Sequence, residues 1–172
     1  MTLEAVSALR LLIPRGEVID LGIFVDASTS WGIGVIIGGQ WVAFHLAPDW
    51  KIPRRDICWL ETLAVEFAVY FLEEMGFHDS RLLIHSDNQG TIGAVDKGRS
   101  SNVPIKIAVR RTYTVLAAIS VSIDVNYIVS ADNLADPISR GILGPLSLRL
   151  NFSFNLPEEL SLVFIQYVYP AS

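Results

Sequence analysis

The sequence predicts one α/β domain whose mixed five-stranded sheet has the strand order 3-2-1-4-5 and is flanked by helices. Its 172 residues suffice for one ordinary domain with a sizeable core and hardly for two. Short apolar runs typical of strands alternate with longer segments typical of helices, and glycine, proline and asparagine mark the boundaries. Two of the apolar runs end abruptly in an aspartate, Asp26 and Asp87.

The first part of the chain predicts a three-stranded antiparallel meander. The apolar run Ile23-Phe24-Val25 indicates a buried central strand that ends at Asp26. Gly38-Gly39 suits a tight hairpin turn that needs positive φ, so it joins the next two strands. We expect the three strands over 19–26, 31–37 and 40–46.

A long helix follows, with Asp56 as a suitable N-cap and Gly76 as a suitable stop. It is apolar almost all round, which predicts that most of it is covered. Glu61 lies within its first two turns. An unpaired carboxylate there is costly, so Glu61 needs a cation, a hydrogen-bonding partner or an exposed rim. A solvent-exposed glutamate favoured by the helix dipole is the alternative interpretation.

The second half predicts two more strands and three helices. We expect the strands over 81–86 and 122–129, and the helices over 91–97, 104–119 and 134–140. The fourth strand again ends in a carboxylate, Asp87. The helix over 104–119 places Lys106, Arg110 and Tyr113 on one face. Pro137 fits only the first turn of the last helix.

These elements place the domain at residues 19–141. Residues 1–18 are interpreted as an N-terminal connection, and residues 142–172 as a tail that packs on the domain or on a neighbour. The hydrophobic share of 51% and the mean hydropathy of +0.43 are high for a free-standing protein. They indicate that the domain packs against something larger.

Composition also narrows the cellular setting. No stretch predicts a membrane span, because the longest uncharged run, 27–48, is interrupted by polar residues and glycines. Glu4 and Arg10 argue against a signal peptide. Cys58 is the single cysteine, which excludes a disulfide framework and favours a reducing compartment. We therefore expect an intracellular protein, cytoplasmic or nuclear.

The net charge of −5 disfavours nucleic acid as a partner, but the charge is unevenly distributed. The stretch from Lys97 to Ile123 contains no Asp or Glu. Its five cations are Lys97, Arg99, Lys106, Arg110 and Arg111. This stretch is our candidate for holding a nucleic-acid backbone, although a solvated helix face explains the charge equally well.

Four carboxylates lie on elements that are expected to converge: Asp26, Glu61, Asp87 and Asp136. A right-handed crossover can place strand four beside strand one, so that the two strand-end aspartates face each other. Carboxylates brought together cannot all stay ionised without cations, and ligands that are all oxygen suit magnesium or manganese. Two such ions about 3.5–4 Å apart recur in phosphodiester hydrolysis.

Each of these carboxylates lies in a short motif. The motifs are Ile23-Phe-Val-Asp26-Ala-Ser28, Glu61-Thr-Leu-Ala-Val-Glu-Phe-Ala68, His85-Ser-Asp87-Asn-Gln89 and Asn133-Leu-Ala-Asp136-Pro-Ile-Ser-Arg140. In this order they resemble the type 1 ribonuclease H superfamily, and more narrowly the ribonuclease H domain that follows the reverse transcriptase in eukaryotic retrotransposons. With Lys97-Gly-Arg-Ser-Ser-Asn102 and Trp31-Gly-Ile-Gly34, the chain is most similar to fungal elements, either gypsy-type or tyrosine-recombinase-type.

The resemblance covers about residues 19–141 and implies a ribonuclease H-like fold. It implies an endonuclease that cuts the RNA strand of RNA–DNA hybrids, with the four carboxylates as catalytic residues holding two Mg²⁺ ions, Mn²⁺ being possible. It also implies an upstream reverse transcriptase domain as a partner. Such enzymes recognise the 2′-hydroxyl and the hybrid shape. The residues expected to contact substrate are Ser28, Asn88, Gln89, Lys97, Arg99, Lys106 and Arg110.

Two departures from the family pattern concern turnover and substrate grip. Many relatives carry a mobile histidine shortly before the last aspartate, where this chain has Val129-Ser-Ala-Asp-Asn133. Cellular enzymes place paired amide side chains before the helix glutamate, where this chain has Ile57 and Cys58. A non-catalytic nucleic-acid-binding or scaffold module is therefore the main alternative. An integrase or resolvase fits less well, because Glu61 lies between two aspartates rather than after them.

Overall fold

The computed structural model describes residues 16–166, and its central feature is a six-stranded mixed sheet with the order β5-β4-β1-β2-β3-β6. The strands are β1 Val18–Ala27, β2 Gly32–Ile37, β3 Gln40–Leu46, β4 Ser80–Ser86, β5 Val121–Tyr127 and β6 Phe164–Gln166. The α-helices are α1 Ile57–Glu74, α2 Gln89–Lys97, α3 Val103–Ile119 and α4 Asp136–Ser139. Three short 3₁₀ turns lie at Ser130–Asp132, Leu146–Leu148 and Glu158–Leu160.

The strand pairing follows the predicted topology. β1, β4 and β5 run parallel, whereas β1, β2 and β3 form the antiparallel meander. The α/β class and the order of the first five strands are therefore confirmed. The predicted count of five is wrong, because the short β6 pairs antiparallel with the outer edge of β3. Three residues of the apolar C-terminal stretch thus cover an edge that would otherwise be open.

Helix α1 forms the centre of the core on one face of the sheet. Its N-cap Asp56 accepts a hydrogen bond from the amide of Trp59, as its position in the sequence predicts. The helix packs on β1, β2 and α3, and its residues 59–69 are all buried. Because almost every side of α1 is covered, its two buried glutamates, Glu61 and Glu66, need an explanation.

Helix α4 packs on the other face of the sheet, where a glycine allows close approach. A Cβ built on Gly34 of β2 would lie 2.8 Å from both the Ile138 Cβ and the Ser139 amide nitrogen. A side chain at this position would therefore push α4 away from the sheet. The motif that contains Asp136 consequently lies directly against the central strands.

The described part of the C-terminal stretch contributes to the core. Leu150, Leu160, Val163 and Phe164 are buried, and the Leu150 amide donates to the carbonyl of Trp41 at 2.7 Å. These four residues thus belong to the hydrophobic core. The predicted tail residues 167–172 and the predicted connection at 1–15 lie outside the described residues. Within residues 16–166, no helix is both long and apolar enough to cross a lipid bilayer.

Candidate metal centre

Three carboxylates meet at the carboxyl ends of the two central parallel strands. Phe24 of β1 pairs with His85 of β4, so Asp26 and Asp87, each two residues further on, emerge at the same edge of the sheet. Glu61 reaches this edge from the second turn of α1. One oxygen from each of Asp26, Glu61 and Asp87 lies within 4.8 Å of the other two.

The centre is largely shielded from solvent. Asp26 and Glu61 are each 3% exposed, whereas Asp87 is half-buried and opens the centre to the surface. Burial, followed by the charges of Asp26 and Asp87, raises the pKa of Glu61 to about 10. Burial likewise raises the pKa of Asp26 to about 6, and the charge of Asp87 adds to this rise. Without a cation, at least one proton is therefore retained here at neutral pH.

One oxygen of Glu61 is available to a cation. Its Oε2 is buried and has no hydrogen-bond partner among the described residues. A buried carboxylate oxygen without a donor costs about 1–3 kcal/mol or more, because its hydration is lost and not replaced. Three carboxylates supply hard oxygen ligands of the kind that Mg²⁺ and Mn²⁺ prefer. The residues therefore fit a divalent cation.

Asp136, the fourth predicted ligand, lies beside this centre but outside the group of three. It is the first residue of α4, and its Oδ1 lies 3.3 Å from the Arg140 Nε. Its side chain is about one-third exposed. Its backbone carbonyl is nevertheless 2.8 Å from the Ser139 hydroxyl, which also donates to Asp26 Oδ2 at 2.9 Å. The backbone of Asp136 is therefore close to the centre while its carboxylate pairs with Arg140.

Comparison with known proteins identifies the architecture. No protein-family model matches the chain, and no curated protein matches it. A solved structure, that of RNase H1 from the halophilic archaeon Halobacterium salinarum NRC-1, is similar with a TM-score of 0.51. The match covers 73% of this chain and 97% of that chain at 15% sequence identity. The fold is ribonuclease H-like.

Within this ribonuclease H-like fold, three of the predicted substrate residues surround one open depression. Gln89, Lys97 and Arg99 line it together with Ser100 and Ser101, and its volume is about 670 Å³. All three are exposed, and Gln89 is only two residues from Asp87. The depression therefore presents two cations, and its lining begins two residues after Asp87 in the chain.

The other predicted substrate residues lie apart from this depression. Arg110 is exposed and lines a neighbouring shallow surface, whereas Lys106 is half-buried on α3. Asn88 caps α2, because its Oδ1 accepts from the amide of Thr91 at 2.9 Å. Ser28 is buried and donates its hydroxyl hydrogen to the carbonyl of Ser139. The hydroxyl of Ser28 is thus engaged inside the protein.

Arg111, which the sequence grouped with the basic surface, is used internally. Its Nε and Nη2 donate to Glu66 at 2.7 and 2.9 Å, and its Nη1 contacts Glu159. The Tyr70 hydroxyl also donates to Glu66. This pairing removes Arg111 from the predicted nucleic-acid surface. The signal available in the sequence was Glu66 itself, a charge between apolar neighbours on a covered helix, but no pattern identified its partner.

Two further polar residues, Asn133 and Ser139, belong to the same motif as Asp136. Asn133 is buried, and its Nδ2 donates to the carbonyl of Val25 at 2.9 Å. Ser139 is fully buried and bonds Asp26. Their place in the same short motif as Asp136 was the only sequence signal for either of them.

Proposed function

We propose that this chain is a divalent-cation-dependent endonuclease that hydrolyses the RNA strand of RNA–DNA hybrids and leaves 5′-phosphate and 3′-hydroxyl ends. The observation that carries this proposal is the convergence of Asp26, Glu61 and Asp87 at the strand ends of a ribonuclease H-like fold. The buried Oε2 of Glu61, which has no partner among the described residues, supports it further, because a purely structural carboxylate would have a donor at each of its oxygens.

In this proposal, Asp26, Glu61 and Asp87 hold the cations, Mg²⁺ or Mn²⁺, and Asp136 adds a fourth carboxylate from the rim. The cations, when bound, supply an activated water and stabilise the leaving 3′ oxygen. The protein excludes water behind the centre by burying Asp26 and Glu61. Gln89, Lys97 and Arg99 bind the sugar–phosphate backbone of the hybrid beside the centre.

We further propose that the domain works as the ribonuclease H part of a retroelement reverse transcriptase, inside the cell and after an upstream polymerase domain. The four motifs in their order support this role. The high mean hydropathy supports a neighbouring domain. Two exposed apolar side chains support it as well: Leu162 just before β6 and Ile165 within it expose 90% and 65% of their surface.

One observation favours a second candidate, a ribonuclease H-like module that binds nucleic acid without cutting it. The Asp136 carboxylate pairs with Arg140 and lies outside the group of three. A centre that uses only three carboxylates would hold a second cation weakly, and a second cation is required for the two-ion reaction.

Cleavage of an end-labelled RNA–DNA hybrid, in Mg²⁺ and then in Mn²⁺, distinguishes these candidates. The variant Asp26→Asn removes a charge from the centre without changing its size. The matched control is Asp124→Asn, which removes an equal charge from an exposed pair with Arg81 on the same sheet. We expect wild type and Asp124→Asn to cut the RNA strand and Asp26→Asn to lose at least about 100-fold in rate.

Hybrid binding without cleavage, in folded protein and with either cation, would favour the non-cutting module. Cleavage that survives Asp26→Asn would contradict the assigned centre. A chain that cuts single-stranded RNA as fast as the hybrid would contradict the proposed substrate.

A further inference from the structure

The segment from Asn133 to Arg140 is attached to the end of β1 and to Ser28, the residue after it, through three buried polar side chains. Asn133 donates to the carbonyl of Val25, Ser139 donates to the carboxylate of Asp26, and Ser28 donates to the carbonyl of Ser139 at 2.6 Å. These bonds are made just before, at and just after Asp26 in the chain. The segment therefore holds the end of β1 in place around Asp26, whose carboxylate belongs to the metal centre.

The Ser139 hydroxyl is the member of this set that contacts a proposed cation ligand. It lies 2.9 Å from Asp26 Oδ2 and 2.8 Å from the Asp136 carbonyl oxygen, so its hydrogen is shared between two acceptors. Ser139 has no exposed surface, so water cannot take over either bond. The absence of a side chain at Gly34 allows α4 to approach closely enough for these bonds to form.

We propose that Ser139 is a positioning residue that orients the Asp26 carboxylate for cation binding, with Ser28 holding Ser139 in place. A bond to Oδ2 restricts rotation of the carboxylate group, so that its remaining lone pairs keep one direction. Groups that orient metal ligands in this way typically change metal affinity or activity by 10–100-fold when they are removed. The inference rests on the proposed function, because it takes Asp26 to be a cation ligand.

The test is Mn²⁺ binding measured by calorimetry on the whole chain, with no nucleic acid present. Ser139→Ala removes the hydroxyl that contacts Asp26. The matched control is Thr112→Val, which removes an equally buried hydroxyl that bonds only the Ala108 carbonyl of its own helix α3. We expect Ser139→Ala to bind Mn²⁺ about 10–100-fold more weakly than wild type and Thr112→Val to bind within about twofold of wild type.

A kinetic readout separates positioning from a general loss of structure. With hybrid as substrate, Ser139→Ala is expected to lower kcat and leave KM unchanged, because Gln89, Lys97 and Arg99 lie on a different surface. If Ser139→Ala does not fold, Ser28→Ala replaces it. This variant removes the donor to the Ser139 carbonyl and an acceptor for the Trp31 amide, and it leaves the bond between Ser139 and Asp26 in place. We expect Ser28→Ala to weaken Mn²⁺ binding by about three- to tenfold, which is less than the range for a direct ligand contact.

Mn²⁺ affinity equal to wild type in folded Ser139→Ala, or in Ser28→Ala where the first variant does not fold, would overturn the inference. Wild type that binds Mn²⁺ but cuts no hybrid would contradict the proposed nuclease, and the inference would still be judged on the affinities. Wild type that binds neither Mn²⁺ nor Mg²⁺ would overturn both.

Discussion

Two buried glutamates on the same helix, Glu61 and Glu66, are stabilised in opposite ways. They are five residues apart on α1 and expose 3% and 0% of their surface. Glu66 is surrounded by donors, namely the guanidinium of Arg111 and the hydroxyl of Tyr70. Glu61 faces two other carboxylates and has one oxygen without any partner among the described residues.

The pKa shifts of the two residues express this difference. Burial raises the pKa of both carboxyls. For Glu66, the bonds and the charge of Arg111 oppose the rise, and Glu66 in turn raises the pKa of Arg111. For Glu61, the charges of Asp26 and Asp87 increase the rise. Glu66 is thus completed by the protein itself, whereas Glu61 requires a proton or a cation from solution.

The two glutamates illustrate two reasons for burying a charge, one structural and one functional. A buried carboxylate with a bidentate arginine has a complete set of partners and needs no ligand. A buried carboxylate that faces like charges is unfavourable for folding, so its retention needs another reason. Substitutions at the two glutamates and their partners therefore differ in their expected effects.

The largest effect is expected at the completed pair. Glu66→Ala leaves the Arg111 guanidinium, 19% exposed, without its main partner, which is expected to cost about 3–5 kcal/mol of unfolding free energy. Urea unfolding at pH 7 measures it. The control Glu74→Ala removes an exposed glutamate from the last turn of the same helix and should stay within about 0.5 kcal/mol of wild type. A loss below about 1 kcal/mol for Glu66→Ala would remove the contrast.

The second effect concerns rate rather than stability. Glu61→Gln preserves the size of the side chain and removes the negative charge that we propose binds the cation. The rate of hybrid cleavage should therefore fall at least about 100-fold, which is roughly 2.7 kcal/mol in activation free energy. The circular dichroism spectrum of the variant should match that of wild type, which would show that the fold is retained. Cleavage within tenfold of wild type would mean that Glu61 is buried for some reason other than cation binding.

The third prediction is the pH dependence of stability without divalent cations. The folded pKa values of Glu61, about 10, and Asp26, about 6, both lie above the ordinary values of 4.5 and 3.8. The folded state therefore binds more protons than the unfolded state, and its stability falls as pH rises from about 4.5 towards 10.

Glu61→Gln should remove most of this decline. Between pH 5 and pH 8, wild type should therefore lose at least about 1 kcal/mol more unfolding free energy than Glu61→Gln. Thermal unfolding in EDTA at several pH values measures the difference. Parallel pH profiles for wild type and Glu61→Gln would contradict the raised pKa of Glu61.

The smallest effect is expected at the exposed ion pair of Asp136 with Arg140. Its members are four residues apart with side chains 33% and 57% exposed. Arg140→Gln should change the unfolding free energy by no more than about 0.5 kcal/mol, because solvent replaces the lost contact. A loss above about 1.5 kcal/mol by urea unfolding would mean that pairing, and not burial, sets the cost.

The convergence of Asp26 and Asp87 could be predicted from the sequence because it depends only on topology. Each aspartate ends an apolar run, and a right-handed crossover makes the two strands neighbours. The cap at Asp56 and the hairpin at Gly38-Gly39 were also local signals. The sheet order of β1 to β5 followed from the same reasoning.

What the sequence did not reveal depends on long-range side-chain geometry. The partner of Glu66 is 45 residues away on α3, and helical periodicity alone does not give the contact between the two helices. Strand β6 has only three residues, and no hairpin turn precedes it that would have predicted it from the sequence. The pairing of Asp136 with Arg140 is local, at a spacing of four residues, but it is a choice of side-chain rotamer, which a motif cannot specify.

The most direct test of the central claim is the thermal unfolding of wild type and Glu61→Gln at neutral pH with increasing Mn²⁺. If a cation completes Glu61, wild type should gain about 2.7 kcal/mol at 100 times Kd, which corresponds to a rise in Tm of about 5–10 °C. Glu61→Gln should rise by less than about 2 °C under the same conditions. Equal rises in the two proteins, or no rise in wild type, would contradict the account.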